Sequence, residues 1–414
     1  MAFDQRAAWA MGIATTVAVA GGALWQRHRE TQAEAHTPAR KLFVVGVLSG
    51  VHAVDLATGK GGKGIVTGIL PHNLALAPDG KRLWVTNVGS QSVSAIDVAT
   101  ERKVQDILVG EMPDNPAHRK LGAERLARAT SCYECHDRFA IGSLPNALAF
   151  DSSGRYLMVN ELRRRSVTWL DVAAGKTVRA VTFPDLPPQA APANMVVHPR
   201  RGEVWVLHRF EPEDKTYDPR ARGGPAEAGP SPGTGRLSAS QKDDFQHDAP
   251  LGVKRSWVTV HDATMNQRLA TIEIGQTVPF DGVFSRDGRL LYVGYRSTNQ
   301  IAVFDTATRT LARWIETGSA PTGLSLSPDG KQLYVTCLHA KPPVVQVINA
   351  ASGAVEASLG VHPSPSLVVT DRATGLIYVT ATGYNAVLEI DPVNRKLLRE
   401  LPAGHQPLAL TLTR

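Results

Sequence analysis

Cysteine is scarce in this chain: three occur in 414 residues, too few for a disulfide framework. Charge of one sign is scarce as well. Its 45 basic and 38 acidic residues leave a net charge of +7, a modest excess for this length that gives no reason to expect nucleic-acid binding. By length alone the chain could hold two ordinary domains, but its internal repeats argue for one.

Two of the three cysteines stand together, in Cys132-Tyr133-Glu134-Cys135-His136. Thiols at this spacing can each add to one vinyl group of haem, and the adjacent imidazole is then held under the iron. A structural zinc site would need a further close Cys or His pair, and none stands at finger-like spacing. A redox dithiol would need a strand-helix setting and gives the histidine no role. The expected cofactor is one covalent haem c, with Cys132 and Cys135 as thioether anchors and His136 as proximal ligand.

Haem of this kind is attached on the exported side of the bacterial membrane, and the N-terminus agrees. Residues Ala7 to Trp25 carry no charge, with Arg6 before them and Arg27 and Arg29 after. Residues 1–37 therefore read as a membrane anchor, with Ala7 to Trp25 as its helix, that holds the body on the periplasmic side of the inner membrane. A cleaved secretory signal ending at Ala33-Glu34-Ala35 is the alternative, and leaves the body free in the periplasm.

From residue 41 to the end the chain repeats one unit. A proline opens it, alternating apolar residues follow, then a Gly-bearing turn, then a second apolar run. Openings fall at Pro71, Pro145, Pro192, Pro279, Pro321, Pro365 and Pro407, and the last four are 42, 44 and 42 residues apart. Repeats of this period with four short strands each are propeller blades. Pro78-Asp79-Gly80, Arg286-Asp287-Gly288 and Pro328-Asp329-Gly330 supply the first hairpin turn. A second turn is marked by Asp55, Asp97, Asp171, Asp262, Asp305, Asn349 and Asp391. Residues 408–412 have an innermost strand without successors, and 41–66 have the other three strands without an innermost one. Pairing them closes an all-β, seven-bladed ring and removes its open edges.

Trp84-Val85-Thr86-Asn87 and Tyr334-Val335-Thr336 resemble the YVTN-type propeller repeats, which are related to the propellers of cytochrome-type nitrite reductases and amine dehydrogenase heavy chains. The resemblance implies the fold over residues 41–414. It says less of function, because such propellers host enzymes, electron carriers and binding modules.

Two inserts depart from the plain repeat. Residues 111–143 hold the haem motif, and the pattern over 117–130 predicts a short amphipathic helix leading into it. Residues 211–253 are rich in Pro, Gly, Ser and charge, and read as irregular loop. In an up-and-down blade both inserts open on one face. The sixth iron ligand must reach that face, which makes Met112, His118, His72, His362 and His405 candidates, with His208 and His339 at the ends of second strands. His72, His362 and His405 lie beside opening prolines of three consecutive blades and could instead hold a second metal. His198 falls on the opposite face, and His261 within a strand.

These features imply an exported haem propeller that passes electrons to a redox partner protein or membrane redox complex, or reacts at the iron if its sixth position is open. Arg163-Arg164-Arg165 would meet haem propionates or an acidic partner. The alternative is a binding or assembly subunit of a membrane complex. A lactonase-type hydrolase would need carboxylates lining the channel, and the inner strands offer Asp281 alone.

Overall fold

A computed structural model of the chain describes residues 40–109, 143–210, 255–275 and 278–413. From Lys41 onward the chain is one unit. Blade 1 shows how a unit is built. Its strands Pro71–Leu76, Arg82–Asn87, Ser92–Asp97 and Arg102–Leu108 pair antiparallel in chain order, from the channel outward. Five more sheets repeat this order in blades 2 to 6. Each innermost strand contains its predicted proline, and only blade 3 begins earlier, at Ala190.

The middle strands are apolar on both faces because each sheet lies between two others. Leu83 and Val85 pack on Phe43 and Val45 of blade 7, whereas Trp84 and Ala95 pack on Leu157 and Val159 of blade 2. Each such Leu, Val or Phe side chain contributes about 1.5–3 kcal/mol on burial. The outermost strand covers one face only, so Arg102–Leu108 stays mostly exposed.

Both predicted turns are present. Gly80, Gly288 and Gly330 have φ of 71°, 76° and 76°, a region closed to most side chains. At the second turn the Asp or Asn side chain caps its own loop. Asp97 Oδ1 accepts the Thr100 N–H at 2.9 Å, and Asp305 and Asp391 accept Thr308 and Asn394 at the same distance.

The ring closes where expected: Lys41–Gly46 pairs with Pro407–Leu412 and with Gly50–Asp55. The fourth strand expected from this terminal segment is reduced to isolated bridges, Val54 to Gly61 and Val51 to Ile65. Gly61, Gly62 and Gly64 interrupt the segment with residues that favour no extended backbone.

Innermost strands line the channel and do not pair across blades, so side chains satisfy them. Asn146 Nδ2 donates to the Ala193 carbonyl at 2.9 Å, Asn194 Nδ2 to Phe280 at 2.8 Å, and Thr322 Oγ1 to Ser366 at 2.8 Å.

The described residues include no α-helix, only a 3-10 turn at Thr382–Tyr384. The expected membrane helix and the expected helix over 117–130 lie outside them. Among the described residues no helix is long and apolar enough to cross a membrane.

Candidate functional site

The site is the face on which the opening prolines lie. Strand order puts the links between blades there, together with the links from second to third strands. The first insert follows Val109 and precedes Ser143 in the chain, and the second follows Phe210 and precedes Arg255. Cys132, Cys135, His136, Met112 and His118 lie outside the described residues.

The linkers on this face are held by one repeated joint. The residue twenty positions after an opening proline adopts left-handed backbone in four blades: Gln91, Arg165, Asn299 and Asn385, with φ of 52°, 54°, 57° and 59°. In blade 4 the Asn299 carbonyl accepts the Thr317 N–H at 2.9 Å, and its Oδ1 accepts the Ala320 N–H at 2.9 Å. In blade 6 Asn385 Oδ1 accepts Gln406 N–H at 2.8 Å. Blade 1 uses Gln91, whose carbonyl accepts Val109 N–H at 3.0 Å. Its Oε1 accepts three bonds, from Ser143 N–H at 2.7 Å, Ser143 Oγ at 2.9 Å and Leu144 N–H at 3.1 Å. The two points held by the joint are residues 317 and 320 in blade 4, but 109 and 144 in blade 1. Residues 132–136 fall between the latter two in sequence.

Beneath the linkers lies a layer of side chains opposite the opening prolines. Strand register pairs Pro71 with Asn87, Pro145 with Glu161, Pro192 with His208, Pro279 with Tyr295, Pro321 with Cys337 and Pro365 with Ala381. Blades 1 to 3, next to the inserts, hold polar groups here. Asn87 Nδ2 donates to Ser94 Oγ at 2.9 Å. Glu161 is fully buried and accepts from Ser166 and Thr168 at 2.9 and 2.8 Å, with Arg164 at 3.8 Å. Burial raises its pKa against the hydrogen bonds from Thr168 and Ser166 and the charge of Arg164.

His208 and His261 share one hydroxyl. Thr259 Oγ1 lies 2.8 Å from His208 Nε2 and 3.0 Å from His261 Nε2, so its single proton can go to at most one of the two rings. Phe183 meets both rings edge-on. Burial pushes the His208 pKa down to about 3, helped by His261, and pushes His261 down to about 4. Both rings are therefore neutral at pH 7. His208 Nδ1 has no partner among the described residues. Sequence reading placed His208 at the end of a second strand and missed that it is buried. The constant sixteen-residue offset from the opening proline is the signal that would have found this layer.

The candidate second-metal trio does not assemble. Among the described residues no three of His, Cys, Asp and Glu form a metal-binding group. His362 stacks on Tyr384 with ring centroids 3.9 Å apart, and its Nε2 lies 2.7 Å from Glu400 Oε1. His405 is exposed beside Ser49, whose hydroxyl accepts its N–H at 2.8 Å, and His72 is half-buried on the first innermost strand. His198 occupies the hairpin on the opposite face, as expected, where its Nδ1 accepts the Arg200 and Arg201 N–H groups.

Asp281 forms no carboxylate cluster. Its Oδ2 accepts the Leu324 N–H at 3.0 Å and its Oδ1 the Gly282 N–H at 2.8 Å, which joins blade 4 to blade 5. Burial pushes its pKa up to about 6 against those two bonds.

Comparison with known proteins supports a seven-bladed propeller of the lactonase/YVTN type. The profile of the family described as "Lactonase, 7-bladed beta-propeller" matches residues 281–370. No curated protein sequence matches the chain. The structure is similar to hydrazine synthase of Kuenenia stuttgartiensis, with TM-score 0.58 and 15% identity over 83% of this chain and 89% of that one. It is also similar to a functionally unknown protein of Desulfotomaculum acetoxidans, with TM-score 0.59 and 13% identity over 90% and 99% of the two chains. A candidate 6-phosphogluconolactonase of Bacteroides fragilis gives TM-score 0.57 and 14% identity over 92% and 99%. At these identities the likeness is one of fold.

Proposed function

We propose that this propeller is an exported c-type haem protein that carries electrons to or from a partner on the periplasmic side of the inner membrane. The observation that carries this reading is Cys132-Tyr133-Glu134-Cys135-His136, two thiols and an imidazole at the spacing of covalent haem attachment. The donor chemistry fits haem iron, and the blade 1 joint supports the reading by holding residues 109 and 144, between which the motif lies. Cys132 and Cys135 would hold the porphyrin and His136 the iron. Haem supplies a one-electron couple when bound.

The chain's own residues set the surroundings. His72 and His405 stand on the insert face as candidates for the far side of the iron, and His362 there contacts Glu400 and Tyr384. Arg163, Arg164 and Arg165 link the second and third strands of blade 2 on the same face and give it positive charge where an acidic partner would dock. A hydrolase reading has less support, because Asp281 is committed to the joint between blades 4 and 5.

Absorption spectra of the full-length exported protein test the reading, beside His72→Ala, His405→Ala, Met112→Ala and His118→Ala variants. A low-spin c-type spectrum lost in one variant identifies the sixth ligand. A low-spin spectrum unchanged in all four removes these candidates, and a spectrum without haem removes the reading.

A further inference from the structure

We propose that Gln91 is a positioning residue for the haem-bearing segment, holding both of its ends against the propeller and thereby setting how the iron is presented. This rests on the haem reading above.

The inference comes from comparing equivalent joints. Asn is the non-glycine residue best suited to left-handed backbone, and blades 4 and 6 have Asn at this position. Blade 1 has Gln instead, in the same strained conformation, buried to 1% exposure. Its extra methylene carries the side-chain oxygen far enough to accept three bonds from the returning chain, where Asn299 and Asn385 each take one from the same linker. Gln91 Nε2 donates to the Val88 carbonyl at 2.6 Å, which fixes the amide's orientation. A single residue therefore grips the departing chain at Val109 and the returning chain at Ser143 and Leu144. No other described joint spans so long a segment.

The test uses the full-length holoprotein with Gln91→Leu, which keeps a side chain reaching the Cδ position and removes the acceptor. Gln91→Asn keeps a shorter acceptor. Asn299→Leu removes the equivalent bond in a blade whose linker has no insert. Three readouts are compared: amide exchange at Ser143, Leu144 and Ala320, the rate of haem reduction by ascorbate, and carbon monoxide binding to the reduced haem.

Gln91→Leu should speed exchange at Ser143 and Leu144 roughly tenfold. It should also shift the reduction or carbon monoxide rate by roughly threefold or more. Gln91→Asn should fall between it and wild type. Asn299→Leu should speed exchange at Ala320 and leave both haem rates at wild-type values. Faster exchange in Gln91→Leu with wild-type haem rates would overturn the proposal, as would haem rates that move equally in Asn299→Leu. Should Gln91→Leu fail to fold, Ser143→Ala removes one of the three bonds and should move the haem rates in the same direction. Wild-type rates in both Ser143→Ala and Gln91→Asn would overturn it. A wild-type protein without haem defeats the underlying reading instead, and the exchange results then report on the joint alone.

Discussion

Blades 1 to 3 and blades 4 to 6 share one backbone plan but differ in what lies opposite the opening proline. The first arc has Asn87, Glu161 and His208 there, each buried and each bonded to a hydroxyl on the third strand. The second has Tyr295, Cys337 and Ala381. Both inserts rise from the first arc, and the lactonase profile matches only residues of the second. The difference shows that the repeat tolerates polar and ionisable groups at this position when a neighbouring hydroxyl satisfies them.

The largest expected consequence is opposite pH behaviour of the His208–His261 pair in the first arc and Asp281 in the second. His208 and His261 have folded pKa values of about 3 and 4, below the ordinary histidine value. Their contribution is present above pH 6.5 and is lost as pH falls, because the unfolded chain takes up protons that the folded one does not. Together this amounts to about 5 kcal/mol between about pH 7.5 and 4.5. Urea midpoints against pH should show this decline, and His208→Gln should reduce its slope by about half. An unchanged slope would separate the histidine pair from acid lability.

Asp281 acts in the other direction. Its folded pKa of about 6 lies above the unfolded value, so its contribution is full in acid and is lost as pH rises from about 4 through 6. Asp281→Asn should gain about 2–3 kcal/mol at pH 7 and flatten that limb of the curve. A variant less stable than wild type at pH 7 would mean the carboxylate's bond to Leu324 outweighs its burial.

The smallest effect concerns Arg163, Arg164 and Arg165. Replacing all three with Ala should slow electron exchange with an acidic partner at low salt by roughly threefold and leave the high-salt rate unchanged. Equal slowing at all ionic strengths would point to a role other than charge attraction. A matching substitution on the second arc, Arg289→Ala on the opposite face, should change neither rate.

Most of the ring was legible in the sequence, because proline and Asp-Gly turns recur at fixed spacing and each acts locally. The closure was legible for the same reason, although the glycines after Gly59 left blade 7 with bridges where a fourth strand was expected. Contiguous chemistry such as Cys132 to His136 is visible in a sequence, and those residues lie outside the described part of the chain. Gln91, Glu161 and the Thr259-bridged histidines were not legible, because each acquires its role from strand register or from a linker far along the chain. Gln91 and Leu144 meet across 53 positions, and no local pattern marks that pairing. The His72, His362 and His405 trio failed for the converse reason: a shared face does not bring side chains together, and His362 had a nearer partner in Glu400.

The most direct test is a pyridine haemochrome spectrum of the full-length protein produced in an exporting host with haem-attachment machinery. The prediction is one c-type haem per chain that resists acid-acetone extraction and disappears in the Cys132→Ala, Cys135→Ala double variant. Protein that is folded and exported yet shows no covalent haem would contradict the account.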